Sequence, residues 1–223
     1  MPYVVTIDGP AGAGKSSVAK GLAKKLGVNY LNTGAIYRAV SLFLNDAGIA
    51  PDEDKKIIEA LNKIKLEINN EQVLINGNDV TQQIRTPKID GLASVYSAVP
   101  CVREALLEIQ QRQINYGSLI VEGRDTGSVI FPEAEFKFFL TATPEARAMR
   151  RFIQNKNKGI HENYDDILKS IKQRDKHDSE RKISPLSVPE GAVFIDSSDM
   201  TEEQVIEKLF SHVNNLLRSK KES

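Results

Sequence analysis

The sequence predicts an α/β domain with a parallel β-sheet core and helices on both faces, and three features of the chain predict it. A β-branched apolar run, Val4, Val5 and Ile7, has the character of a strand buried on both faces. That run passes at once into a glycine-rich loop and then into an amphipathic helix. Strand-like and helix-like patterns then alternate along the 223 residues, and no Gly/Ser- or Pro-rich linker divides them. One domain carrying insertions follows.

The loop reads Gly9, Pro10, Ala11, Gly12, Ala13, Gly14, Lys15, Ser16, which is G-x-x-x-x-G-K-[ST] without a mismatch, and Ser17 follows it. Val18, Ala19, Leu22, Ala23 and Leu26 recur at helical spacing, and Gly27 is placed to end that helix. The loop glycines let successive N–H groups turn inward, and the helix beginning near Lys15 adds its positive dipole end to the same space. Gly9 to Ser17 are expected to cradle a polyphosphate, with Lys15 as a point charge on its β- and γ-phosphates and Ser16 as a hydroxyl ligand of Mg²⁺.

Composition bounds the partners. Thirty Lys and Arg balance thirty Asp and Glu, so no global basic field argues for nucleic acid or a membrane, and any polyanion site must be local. No apolar run approaches the span of a bilayer and no signal peptide precedes the first strand, so a soluble cytoplasmic protein is expected, acting as a monomer. The single cysteine, Cys101, excludes an intramolecular disulfide framework and reads as a small buried hydrophobe. His161, His177 and His212 lack metal-ligand spacing and read as surface histidines.

After Gly27 a second strand is expected over residues 28–31, then a helix with Ile36, Val40, Phe43 and Leu44 on one face, ended by Gly48. Tyr37 and Arg38 lie beside that stripe, where Arg38 either overhangs a cleft or is plainly exposed. Ile64, Leu66 and Ile68 alternate with polar residues, and the stretch Asn76 to Asp79 is a hairpin signal, so a small antiparallel insertion interrupts the chain at 64–84. Thr86 and Pro87 cap a helix bearing Ile89, Leu92, Ala93 and Tyr96, and Pro100 opens another with Val102, Leu106 and Ile109.

Residues 118–121 form a second apolar strand, which runs into Glu122-Gly123-Arg124-Asp125-Thr126-Gly127. Ligands of open parallel sheets collect at the carboxyl ends of strands, which makes Glu122 a candidate for the Mg²⁺ shell; a salt-bridged strand end is the alternative. Phe136 to Leu140 is a further strand, and Thr143-Pro144-Glu145 caps a helix containing Arg147, Arg150 and Arg151. Residues 147–182 hold eleven Lys and Arg against six Asp and Glu, an excess of five in a chain whose total is zero. There a helical stripe of Tyr164, Ile167, Leu168 and Ile171 continues as Arg174, Asp178 and Arg181, which fits either a solvated charged end or a lid over a cleft. Residues 192–196 close the sheet, Thr201 and Gln204 form a capping box for a helix reaching Leu217, and the tail 219–223 should fray.

Four ordered motifs, the glycine loop, N-T-G-A-I-Y-R from Asn32, E-G-R-D-T-G from Glu122 and R-D-x-x-D-x-x-R from Arg174, resemble those of bacterial cytidylate kinases, relatives of adenylate kinase, over nearly the whole chain. Asn32 stands where that family usually has Asp. The resemblance implies a nucleoside monophosphate kinase fold with a core at about 1–30, 85–145 and 190–223, an acceptor-binding part with the β insertion at about 31–84, and a helical lid at about 147–182. It implies transfer of the γ-phosphoryl of Mg·ATP to CMP or dCMP. Thr33, Tyr37 and Arg38 then belong to the acceptor site, Ser94 and Arg103 lie near the pyrimidine, Arg174 and Asp178 face the ribose, Arg181 the phosphates, and Arg150 and Arg151 the donor. Lys15, Arg124, Asp125 and Arg181 are the expected catalytic set. An aspartate at 125 accepts a hydrogen bond from the exocyclic amine of cytosine and opposes the carbonyl of uracil. Rival readings are a kinase of the shikimate or gluconate type, which shares strand, loop and helix, and a GTP-binding switch, which would need an [NT]-K-x-D motif that Asn155 to Lys158 does not supply. A nucleotide-binding scaffold without turnover is the third.

Overall fold

The computed structural model describes residues 2–69, 71–157 and 159–222. Five parallel strands make the main sheet: β1 (Val4–Asp8), β2 (Asn29–Asn32), β6 (Leu119–Gly123), β7 (Phe136–Thr141) and β8 (Val193–Asp196), in the order β2-β6-β1-β7-β8. Strand β1 is thus central, and its register sets Ile7 against Glu122 and Asp8 against Gly123, while Asn32 pairs Glu122 from the other side. The glycine loop and the Glu122 stretch therefore leave the sheet side by side, at the carboxyl edge where open parallel sheets bind ligands.

Helices cover both faces. On one, α1 (Lys15–Leu26) and α8 (Glu202–Glu222) bury Val18, Leu22, Val205, Leu209 and Val213 against Ile7, Ile120 and Phe138. On the other, α2 (Thr33–Asp46), α3 (Asp54–Leu61), α4 (Pro87–Tyr96) and α5 (Pro100–Gln111) bury Ile36, Leu44, Ile57, Tyr96 and Leu106 against Leu31, Leu119 and Val121. Each such apolar side chain contributes about 1.5–3 kcal/mol by leaving water, so the two layers hold the sheet rigid beneath the site.

A separate antiparallel sheet, β3 (Leu66–Asn69), β4 (Gln72–Ile75) and β5 (Asn78–Asp79), sits where the hairpin signal placed it. Asn76 (φ 51°) and Gly77 (φ 80°) both take the left-handed conformation that a tight two-residue hairpin requires. Val73, Ile75 and Val80 pack with Ala39 of α2 and Ile89 of α4, so the insertion is seated on these two helices. Helices α6 (Pro144–Asn157) and α7 (Tyr164–Glu180) form an arm with its own small core of Ala148, Ile167 and Ile171.

Several expectations need correction. Helix α3 has no counterpart among the elements expected from sequence, because its only buried residues, Ile57 and Leu61, are too few to make a periodic signal in eight residues. Cys101 is half-buried, with its thiol 3.6 Å from Asp54 Oδ1, and burial together with that carboxylate raises its pKa. His212 is no free surface residue: its ring packs edge-on to Phe138, 5.4 Å between centroids. Helix α8 continues past Leu217 to Glu222 rather than fraying at Ser219; Ser223 lies outside the described residues, as do Met1 and Lys158. The capping box is present in both directions, Thr201 N–H to Gln204 Oε1 at 2.8 Å and Gln204 N–H to Thr201 Oγ1 at 3.2 Å. Among the described residues no helix is long and apolar enough to cross a membrane.

Candidate active site

Three glycines shape the loop. A Cβ on Gly9 would lie 1.9 Å from the carbonyl oxygen of Leu140, so only glycine lets the chain leave β1 here. Gly12 and Gly14 have φ of 77° and 88°, the left-handed region where side chains are strained. Lys15, 5% exposed, donates from Nζ to the carbonyl of Pro10 at 2.8 Å. Burial first, and then the charge of Arg124, push its pKa well below the ordinary lysine range, with Glu122 and Asp8 acting in the opposite sense. Ser17 turns back on the loop, Oγ donating to Gly14 O at 3.1 Å.

Glu122 is buried at the end of β6, and the Tyr30 hydroxyl donates to its Oε1 at 2.7 Å. The same hydroxyl adjoins Asn32 and Ser16; burial and the Glu122 charge raise the Tyr30 pKa. Asn32 accepts the N–H of Ala35 at 2.9 Å and so caps α2, a task any short polar oxygen at this position performs. Thr33 Oγ1 donates to the backbone carbonyl of Glu122 at 2.8 Å, fixing the start of α2 to β6.

The loop opens on a cleft of about 730 Å³ that adjoins a deeper cavity of about 260 Å³. The deeper cavity gathers residues from the whole chain: Lys15 and Ser16, Thr33, Tyr37 and Arg38 of α2, Ser94 of α4, Arg103 of α5, Glu122, Arg124 and Asp125, and Arg174, Asp178 and Arg181 at the end of α7. On its floor Arg103 and Asp125, both buried, form an ion pair. Arg103 also donates to Ser97 O at 3.1 Å and lies 5.6 Å over the ring of Tyr37. Across the cavity Arg124 Nε donates to Asp178 Oδ2 at 2.9 Å. Burial alone would raise the Asp178 pKa, but Arg124, Arg174 and Arg181 outweigh it and hold the carboxyl below its usual range.

Among the described residues, Arg38 Nε, Arg174 Nε and Arg181 Nη2 are buried donors without a hydrogen-bond partner, Arg181 Nη2 lying 3.6 Å from Asp125 Oδ1, beyond hydrogen-bond distance. Burial lowers the pKa of all three side chains, and nearby carboxylates offset only part of that cost: Asp90 Oδ1 stands 3.8 Å from Arg38 Nη1, Asp178 acts on Arg174, and Asp125 acts on Arg181. Buried charged donors of this kind are stable against an anion that supplies the missing acceptors, and phosphate matches the guanidinium fork.

The cytidylate kinase family model matches residues 5–215. The chain is 46% identical over 209 residues to the cytidylate kinase of Caldanaerobacter subterraneus subsp. tengcongensis, covering 94% of this chain and 93% of that one. It is 47% identical over 213 residues to the cytidylate kinase of Thermosipho africanus, covering 96% and 95%. The chain belongs to the cytidylate kinase family. It is a nucleoside monophosphate kinase by that membership. A shikimate kinase from Bacteroides thetaiotaomicron superposes with a TM-score of 0.50 at 13% identity, covering 97% of this chain and 98% of that one, which speaks for the shared fold alone.

One residue of this family member stands elsewhere than expected. Arg150 lies off the cleft, its guanidinium bound to the carbonyl and hydroxyl of Ser197 beyond β8, whereas Arg151, one position on, faces both cavities. His177 is exposed, as a surface histidine is expected to be, and its Nδ1 lies 3.1 Å from Ser94 Oγ, which joins α7 to α4.

Arg147 carries no distinguishing signal in the sequence, where it is one arginine among three. It is 3% exposed and reaches three elements at once: Nε donates to Ala142 O at 2.9 Å, Nη1 to Ala11 O at 3.0 Å, and the fork to Asp175 of α7 at 2.9 and 2.6 Å. The loop and the α6–α7 arm are thereby fastened together. Asp175→Ala should leave that buried guanidinium short of an acceptor and lower unfolding stability by about 1–3 kcal/mol, read from urea denaturation at pH 7. An unchanged midpoint would mean that this pair does not tie the arm to the loop.

The donor set also suits Mg²⁺. Ser16 and Glu122 both border the Tyr30 hydroxyl, and among the described residues no cluster of three His, Cys, Asp or Glu forms a protein cage. Mg²⁺ takes one or two protein oxygens and fills the rest of its octahedron with phosphate oxygens and water, so a sparse set of hydroxyl and carboxylate is the fitting one.

Proposed function

We propose that this chain transfers the γ-phosphoryl group of ATP to CMP or dCMP, giving ADP and CDP or dCDP. The observation that carries the reading is one cavity lined by a buried Arg–Asp pair, by guanidiniums that each keep a buried N–H without a hydrogen-bond acceptor among the described residues, and by the loop lysine.

The floor offers adjacent donor and acceptor groups. Arg103 N–H groups match the ring nitrogen and carbonyl of cytosine, and the Asp125 carboxylate accepts from its exocyclic amine. Uracil presents a carbonyl to Asp125 and an N–H to Arg103, so both contacts oppose it. Arg174 and Asp178 lie toward the ribose. Arg38, Arg124 and Arg181 hold the acceptor phosphate, each planar fork taking two oxygens, while Arg151 extends toward the donor.

On the donor side the loop N–H groups, the α1 dipole and Lys15 receive the triphosphate. Lys15 exchanges the Pro10 carbonyl for phosphate oxygens, and the arriving negative charge favours the ammonium against the burial that lowers its pKa. Ser16 and Glu122 would hold Mg²⁺, which would supply neutralisation of charge on the β- and γ-phosphates. The acceptor oxygen is then in line with the γ-phosphorus, and the transferring group is surrounded by positive charge rather than attacked by a protein nucleophile. The α6–α7 arm acts as a lid that excludes water and so prevents hydrolysis of ATP. A single copy supplies every residue named, which accords with a monomer, and both substrates accord with a cytoplasmic enzyme.

An ADP-release assay with CMP, dCMP, UMP, AMP, GMP and shikimate as acceptors tests the reading. CMP and dCMP should give the highest kcat/KM. Faster turnover with AMP or shikimate would defeat it, and an absence of acceptor-dependent turnover would favour a switch or scaffold.

A further inference from the structure

Asp8 is the last residue of β1, wholly buried, and its carboxylate commits both oxygens to one segment. Oδ1 accepts the Thr126 N–H and the Thr126 hydroxyl, each at 2.8 Å, and Oδ2 accepts the Gly127 N–H at 2.7 Å. Burial raises the Asp8 pKa, while these three bonds act against that shift by favouring the carboxylate. The segment it holds starts one residue after Asp125. There the chain leaves β6, passes Asp125 at φ −144° and ψ 26°, and closes a wide turn over Thr126–Ile130.

The fit between this turn and β1 is tight. A Cβ on Gly127 would come within 2.7 Å of Thr6 Oγ1 and 3.3 Å of Asp8 Oδ2. Asp8 has no freedom to follow if the turn moves, because β1 is paired on both sides and Gly9 is pressed against Leu140. The backbone on either side of Asp125 is thus anchored to the sheet, by β6 before it and by one carboxylate after it.

We propose that Asp8 is a positioning residue for selection of the acceptor base: by clamping Thr126 and Gly127 to β1 it sets where the Asp125 carboxylate stands, so that one side chain registers the base floor against the phosphate loop that begins at its own next residue. This rests on the proposed function, in which Asp125 and Arg103 meet the base.

Two variants approach the clamp from opposite sides. Asp8→Asn turns an amide NH₂ toward N–H donors and breaks the clamp from the strand. Gly127→Ala pushes the turn away while leaving Asp8 intact. Steady-state kinetics with CMP and UMP as acceptors should show kcat/KM for CMP falling by about 10- to 100-fold in both, because small misplacements at a reacting pair cost factors of this size. The CMP:UMP ratio should fall with it, and KM for ATP should stay within about 2-fold of wild type in Gly127→Ala. Should Asp8→Asn fail to fold, the test passes to Gly127→Ala and to Thr126→Val, which removes only the hydroxyl bond. Folded variants that keep the wild-type CMP:UMP ratio would overturn the proposal and leave Asp8 a purely structural residue. A wild-type enzyme indifferent between CMP and UMP would instead strike at the acceptor assignment, and the role of Asp8 in base selection would fall with it.

Discussion

Lys15→Met is expected to lower kcat by about 10²- to 10³-fold, the loss typical when a preorganised charge-stabilising group is removed from a transferring centre. The same variant should be no less stable than wild type, and this separates a catalytic lysine from a structural one. Nζ is buried, and its pKa is depressed by burial first and by Arg124 second. A base whose folded pKa lies below its unfolded value destabilises the fold while it is charged. That cost is fully present below the folded pKa and fades as pH rises toward the unfolded value near 10.4. The variant's melting temperature should therefore equal or exceed that of wild type at pH 6–7, with the difference closing toward pH 10. Thermal denaturation across that range, beside single-turnover kinetics, provides the check. A variant with near-wild-type kcat would remove the loop lysine from the mechanism.

Asp125→Ala should produce two separate losses. Arg103 is 9% exposed and Asp125 3%, so removing the carboxylate strands a buried guanidinium. Breaking a buried pair from one side costs about 3–5 kcal/mol, measurable by urea denaturation. Discrimination between CMP and UMP should fall by about 1–3 kcal/mol, which is roughly 5- to 150-fold in the ratio of kcat/KM values. Asp125→Asn keeps the volume and part of the hydrogen bonding, so it should recover stability more than selectivity. If Asp125→Ala folds and retains the wild-type ratio, the base is read elsewhere in the cavity.

Local signals in this chain were legible because their physics is local. The glycine loop needs only its neighbours to be recognised, and Thr86, Thr201 and the Asn76-Gly77 turn each satisfy backbone groups within a few residues. The boundary of β2 moved by one residue, and α3 was invisible because two buried side chains make no period. Arg147 and Arg150 show the limit most clearly. They are three residues apart on one helix and alike in type, yet one is buried under the phosphate loop and the other is tied to Ser197. Nothing in their sequence context separates them, since the contacts that do so, Arg147 to Ala11 and Arg150 to Ser197, span 136 and 47 residues.

From its residues alone the chain determined a strand, loop and helix able to wrap phosphates, an alternation that makes a parallel sheet, and motifs sufficient to name a family. Only the folded structure decided that Arg38, Arg103, Arg124, Arg174 and Arg181 enclose one cavity before Lys15, that Asp125 pairs with Arg103, and that Asp8 anchors the turn that follows Asp125. The reason is one of range. Caps, turns and glycine conformations are settled by atoms a few bonds apart, whereas a buried charge is tolerated only where distant elements bring it a partner or leave it facing a ligand, and that depends on how the whole sheet is ordered.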